Sequence, residues 1–145
     1  MPGRTCGDVM TKHLACCVAG DTVQKSAQCM KAQDVGALPI VDSHDRKKLV
    51  GIVTDRDLAL KVVAAGLDSC TTTLESVMSR KMVVCNVDDN CQIALDAMAK
   101  HKLRRIPVVD DHGRIVGIIA QADVATRIEN AEATAKVVEE ISKAA

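Results

Sequence analysis

Residues 51–57 read GIVTDRD and residues 117–123 read GIIAQAD. The glycine, the apolar pair and the last aspartate recur, whereas Thr54 gives way to Ala120 and Arg56 to Ala122. Working outward, DVMTKHLACCVAGDTVQKSAQCM (8–30) falls on SVMSRKMVVCNVDDNCQIALDAM (76–98) with a constant shift of 68. The register holds through ALPIVDSH and RIPVVDDH. Lys47 and Lys48 then have no counterpart, the shift drops to 66, and LVGIV falls on IVGII. Two copies of one unit of about 60 residues therefore fill most of the chain.

Each copy is predicted to run β-α-β-β-α. Thr5 and Thr73 can open a short helical turn by accepting a bond from a free amide. A strand follows at LACCV or MVVCNV. Asp21 and Asp89 are expected to cap a helix, with Val23, Ala27 and Met30 inward in one copy and Ile93, Ala97 and Met98 in the other. The strands ALPIVD and RIPVVD each carry a proline, which favours a strand start or an edge. A turn at SHDRKK or DHG leads to LVGIV or IVGII and closes a hairpin. DRDLALKVVAAG is predicted helical, ending at Gly66 as a left-handed cap. Leu58, Leu60, Val62 and Val63 point several ways around that helix, so a second copy of the chain is the expected cover. From Asp123 towards Ser142, the stripe Val124, Ile128, Ala131, Ala135, Val138 and Ile141 also suits a dimer contact. The fold expected is α/β (α+β): tandem repeats with pseudo-two-fold symmetry at 1–70 and 71–130, and a helical extension at 131–145.

Composition narrows the function. Nineteen basic residues balance nineteen acidic ones, so no global field draws the chain to nucleic acid or anionic lipid. The chain has no Phe, Trp or Tyr, which removes base stacking on aromatic rings. No apolar run approaches the roughly 20 residues of a membrane helix, and the start MPGRTCGDVM lacks a secretion pattern. A cytoplasmic location is expected. The seven cysteines lack CxxC spacing and read as reduced, mostly packed thiols. His44 and His112 occupy equivalent turns. No G-x-S-x-G, HExxH or P-loop occurs, so no enzymatic activity is expected.

The duplicated h-P-h-V-D and G-h-h-x-x-x-D patterns resemble a cystathionine β-synthase (CBS) domain pair over roughly residues 5 to 130. The resemblance implies a flat homodimer that regulates an unidentified protein, and adenine nucleotides or other adenosyl ligands (AMP, ADP, ATP, NAD, S-adenosylmethionine) bound between the repeats. It places Thr54 near ribose and phosphate and Asp57 on the ribose hydroxyls, at a helix start whose amides attract phosphate. Val83, Val84 and Cys85 would face adenine, followed by Pro107. Arg104 and Arg105 would hold phosphate, with Arg56 as a third cation. A second, weaker cleft would use Ala15, Cys16, Cys17, Pro39, Ala120 and Asp123. There Ala120 replaces the threonine and Gly36-Ala37 stand where the other copy has Arg104-Arg105, so that cleft is expected to be empty, weak or limited to an uncharged adenosyl group.

Other readings stay open beside this one. Asp57 and Asp123 can serve simply as helix caps. The run KHKLRR (100–105) can be a solvated basic face, with Lys100 and Lys102 in solvent. A purely structural dimerisation module and a thiol-based redox regulator are the alternative functions.

Overall fold

The computed structural model describes residues 4–12, 15–121 and 124. The elements are α1 (Cys6–Val9), β1 (Cys17–Val18), α2 (Val23–Gln33), β2 (Ala37–Val41), β3 (Leu49–Thr54), α3 (Asp55–Leu58), β4 (Cys85–Asn86), α4 (Cys91–His101), β5 (Arg105–Val109) and β6 (Ile115–Ala120). α3 runs on as a π-helical turn over Ala59–Val63, and a 3-10 turn occupies Leu74–Ser76. Two three-stranded sheets result, ordered β1-β2-β3 and β4-β5-β6, each with one parallel and one antiparallel pair.

The hairpins carry the repeat faithfully. Ile40 faces Gly51 and Val41 faces Leu49, so the ladder slips by one residue; Val108 with Gly117 and Val109 with Ile115 repeat the slip. The aspartate ending each h-P-h-V-D closes its turn: Asp42 accepts from Lys48 N at 3.0 Å and Asp110 from Arg114 N at 3.0 Å. The Arg114 amide, with that of His112, holds the Asp110 carboxyl below its ordinary range. The prolines sit in mid-strand rather than at a start. β1 reaches its neighbour only from Ile40 onwards, so Pro39 faces no parallel partner and its missing N–H breaks no bond on that side; Pro107 precedes Val108 in the same way.

Several local expectations are corrected. The first strands shrink to two residues. The helices are capped by Thr22, whose Oγ1 accepts from Lys25 N at 3.2 Å, and by Asn90, whose Oδ1 accepts from Gln92 N at 2.9 Å. Asp21 and Asp89 instead tie the preceding turn, accepting from Val18 N at 3.0 Å and Asn86 N at 2.9 Å. With the start moved by one residue, the buried faces become Val23, Ser26, Met30 and Cys91, Ala94, Met98. Ala27 and Ile93 are exposed. Ser26 is tolerated inside because its hydroxyl donates to Val23 O at 2.7 Å. Thr5 caps α1 in a reciprocal box with Asp8, whereas Thr73 makes no side-chain cap bond. Gly66 adopts φ +69°, as its position after the helix requires.

The opening turns of the repeats are exchanged. α1 is bound to the second repeat, with Cys6 N donating to Asp89 O at 2.7 Å and Gly7 N to Val87 O at 2.9 Å. The 3-10 turn is bound to the first, with Leu74 N donating to Asp21 O at 2.9 Å and Glu75 N to Ala19 O at 3.0 Å. Each core is completed accordingly: Leu74, Val77 and Met78 join Leu38, Ile40 and Val53, while Cys6 and Val9 join Met98, Ile106 and Ile119. After each turn the chain crosses an outer strand edge, pairing Thr11 with Ile118 and Ser79 with Ile52.

This crossing accounts for the recurrent glycine. A Cβ on Gly51 would lie 2.8 Å from Met78 Sδ and 3.1 Å from Ser79 O; one on Gly117 would lie 2.7 Å from Met10 Cγ. Val124 is buried in the second core. Asp123, His13, Ile128 and the expected extension at 131–145 lie outside the described residues. Among the described residues no helix is long and apolar enough to cross a membrane.

Candidate functional site

The short N-terminal ends of β2 and β5 and the C-terminal ends of β3 and β6 meet at the pseudo-two-fold axis, where two cavities open. The larger, about 730 Å³, takes Gly36, Ala37, Thr54 and Asp55 from the first repeat. The second repeat adds Arg104, Arg105, Ala120 and Gln121. The smaller, about 260 Å³, is lined by Ala15, Ala37 and Pro39 from the first repeat and by Arg105, Ile118 and Ala120 from the second. Ligand cavities commonly span about 300–1,000 Å³, so the larger is roomy for a nucleotide and the smaller is tight.

Thr54, Arg104 and Arg105 thus share one wall, and Ala15, Pro39 and Ala120 share the other. Arg56, Asp57, Val83, Val84, Cys85 and Pro107 lie on neither wall, nor do Cys16 and Cys17. Cys85 and Cys17 are buried in the two cores, and the Cys85 thiol donates to Pro107 O at 3.8 Å. The alternation along β4 and β1 turns these thiols inward. The small cavity is also not without a cation. Although Ala37 replaces the arginine of its own repeat, Arg105 of the other is among the residues that line it.

Thr54 and Asp57 form a reciprocal capping box at the start of α3. Thr54 N donates to Asp57 Oδ2 at 2.9 Å, and Asp57 N donates to Thr54 Oγ1 at 3.1 Å. The other Asp57 oxygen is 3.3 Å from Lys61 Nζ, which also donates to Val77 O at 3.0 Å. Capping is therefore a role that Asp57 holds without any ligand. It does not exhaust the pair, because the Thr54 hydroxyl proton and further carboxylate lone pairs stay available.

Asp55 is a wall residue that the sequence reading did not single out. Its amide donates to Gly36 O at 2.8 Å, and a Cβ on Gly36 would lie 2.9 Å from its Oδ2. The pairing of Ala37 with Thr54 carries the signal, since it sets the residue that follows β3 against Gly36. One carboxylate then faces the cavity that holds two guanidinium groups. Among the described residues the ion pairs are Lys25–Asp21, Lys61–Asp57 and Arg80–Glu75, so Arg104 and Arg105 are committed to none of them. Arg104 is exposed and Arg105 half-buried.

Burial pushes Cys17 up to about 11 and raises Cys6, Cys16 and Cys85 as well. The thiolate is the nucleophile and metal ligand, and these groups hold their protons at neutral pH. No group of three or more His, Cys, Asp or Glu able to hold a metal is found among the described residues.

Comparison with protein-family models matches the CBS domain at residues 6–64 and again at 74–130. Hypoxic response protein 1 of Mycobacterium tuberculosis is 37% identical over 124 residues, covering 86% of this chain and 85% of its own. The CBS domain-containing protein YhcV of Bacillus subtilis is 37% identical over 135 residues, covering 93% of each. Among solved structures, the CBS domain pair of protein MJ0100 in complex with 5′-methylthioadenosine and S-adenosyl-L-methionine superposes with a TM-score of 0.75 at 29% identity, covering 89% of this chain and 98% of that one. CBSX2 in complex with AMP gives 0.76 at 26% identity, covering 90% and 99%. Two copies of one motif, two exchanged turns and two matched family segments lead to one assignment: the chain belongs to the CBS domain family as a tandem pair.

Proposed function

We propose that the chain is a regulatory module that binds an adenine nucleotide or related adenosyl ligand between its repeats. The observation that carries this is the convergence of Thr54, Arg104 and Arg105 on one cavity of about 730 Å³. Two guanidinium forks and a hydroxyl suit phosphate and ribose, and aliphatic walls suit a base in a chain without aromatic residues. The complexes of similar CBS pairs with AMP and with S-adenosyl-L-methionine support this ligand class. Regulation requires that the ligand prefer one of two arrangements of the repeats or of a dimer, thereby biasing contact with a target protein. Seven free cysteines suit a reducing compartment, the cytoplasm.

Calorimetric titration of the nucleotide-free protein with AMP, ADP, ATP, NAD and S-adenosylmethionine tests the binding half. Heat with none of them would sink the reading. Because the polypeptide lacks aromatic residues, an absorbance peak near 260 nm in a preparation free of nucleic acid would itself report a retained base. Asp57→Asn separates cap from ligand contact. The variant keeps an acceptor for Thr54 N and loses only a half-exposed ion pair of little worth. Its unfolding midpoint should stay close to that of the parent, and a fall of about tenfold in affinity for AMP, the worth of a charged hydrogen bond, would show that the bound ligand reaches Asp57 beyond the cavity wall. Unchanged affinity would assign Asp57 to capping alone.

The exposed apolar residues Leu60 (54%), Val63 (77%) and Leu67 (48%) favour a dimer through the helix after β3, and with it the reading of the module as a docking element. Val63→Asp alters no core contact. Sedimentation should show it shifting the chain from dimer to monomer; an unchanged mass would move the contact elsewhere.

A further inference from the structure

The two cavities share three wall residues, Ala37, Arg105 and Ala120, and only one of these is charged. In the larger cavity, Asp55 offsets one of the two guanidinium groups, so the surplus positive charge there equals a single arginine. In the smaller, the remaining polar side chains are Thr11 and Gln33, both neutral. A phosphate placed there while Arg105 pointed away would be desolvated with no cation beside it, which is costly. A guanidinium fork seats one phosphate in bidentate fashion.

Resting on the nucleotide reading above, we infer that Arg105 is one anion anchor serving both cavities, so that a nucleoside monophosphate occupies one of them per chain and any companion ligand carries no phosphate. The difference between the two clefts is then one of competition for a side chain, beyond the loss of a threonine and two arginines from one cleft. Arg104 lines only the larger cavity, which it shares with Asp55, so it contributes to affinity without selecting for phosphate.

The test is a calorimetric comparison of AMP with adenosine on the full chain and on Arg105→Ala, Arg105→Lys and Arg104→Ala. AMP should saturate at one per chain. The ratio of AMP to adenosine affinity should fall at least about tenfold in Arg105→Ala, partly recover in Arg105→Lys, and change little in Arg104→Ala. Unfolding midpoints of the ligand-free variants establish that each is folded, and Arg105→Lys preserves the charge if the alanine variant is not. Two AMP per chain, or an Arg105→Ala ratio like the parent's, overturns the shared anchor and leaves nucleotide binding standing. Absence of heat with both AMP and adenosine on the parent chain overturns nucleotide binding itself and the anchor with it.

Discussion

Leu74→Ala should lower the unfolding free energy by about 2–5 kcal/mol, the usual cost of emptying a buried leucine site. Leu74 belongs by sequence to the second repeat, yet its side chain is fully buried among Val23, Leu38, Val53 and Val62 of the first. The backbone there is fastened by Leu74 N to Asp21 O and by Glu75 N to Ala19 O, so the turn cannot collapse into the space without breaking those bonds. Since each repeat's core is finished by a turn from the other, the loss should move one cooperative transition as a whole. Urea unfolding followed by far-ultraviolet circular dichroism would show a lower midpoint at unchanged slope. A curve that splits into two steps would mean that the repeats fold independently and that the exchange of turns contributes little. At this chain length each kcal/mol corresponds to roughly 3 °C in the thermal midpoint, so a shift of this size is easily measured.

That exchange was invisible in the sequence, although the repeat was not. The shift of 68 and then 66 located both hairpins, because hairpins depend on residues close together in the chain. Helix starts were displaced by one residue. Asp and Thr or Asn stand side by side at 21–22 and 89–90, either can accept an amide, and only the preceding turn's need for Val18 N and Asn86 N decides between them. The displacement rotated the inward face from Ala27 to Ser26 and from Ile93 to Ala94. The helix ends fall on Asp34 and Lys102, left-handed at φ 54° and 56° without a glycine to announce them. The site was half legible for a related reason. Arg104 and Arg105 were recognisable as a pair, but only the lining of the two cavities shows that Arg105 belongs to both and Arg104 to one. The residues expected to face adenine, Val83 to Cys85, lie on neither wall, and Cys85 turns into the core.

The recurrence of glycine in GIV and GII acquires a measurable cost once the crossing segments are considered. Gly117→Ala would bring a Cβ to 2.7 Å from Met10 Cγ and 3.0 Å from Met10 Cβ. Rotating the Met10 side chain can relieve the first contact and not the second. The backbone cannot retreat either, because Thr11 N donates to Ile118 O at 2.8 Å and Ile118 N to Thr11 O at 3.0 Å. Overpacking of this kind costs about 1–3 kcal/mol, against which the stiffer unfolded chain returns about 0.4–1 kcal/mol. Net destabilisation is therefore expected, and chemical denaturation would measure it. Gly51→Ala should be milder, since the nearest atom is the mobile end of Met78, with Ser79 O next at 3.1 Å. Because alanine at position 10 would keep the Cβ, pairing Gly117→Ala with Met10→Gly should recover part of the loss, giving a coupling energy of about 0.5–3 kcal/mol. Thr11 and Ile118 also form part of the small cavity, so a displaced crossing should weaken any ligand held there. If Gly117→Ala were as stable as the parent and weakened ligand alone, the glycine would have to be explained by close approach of a bound molecule rather than by the strand that passes over it.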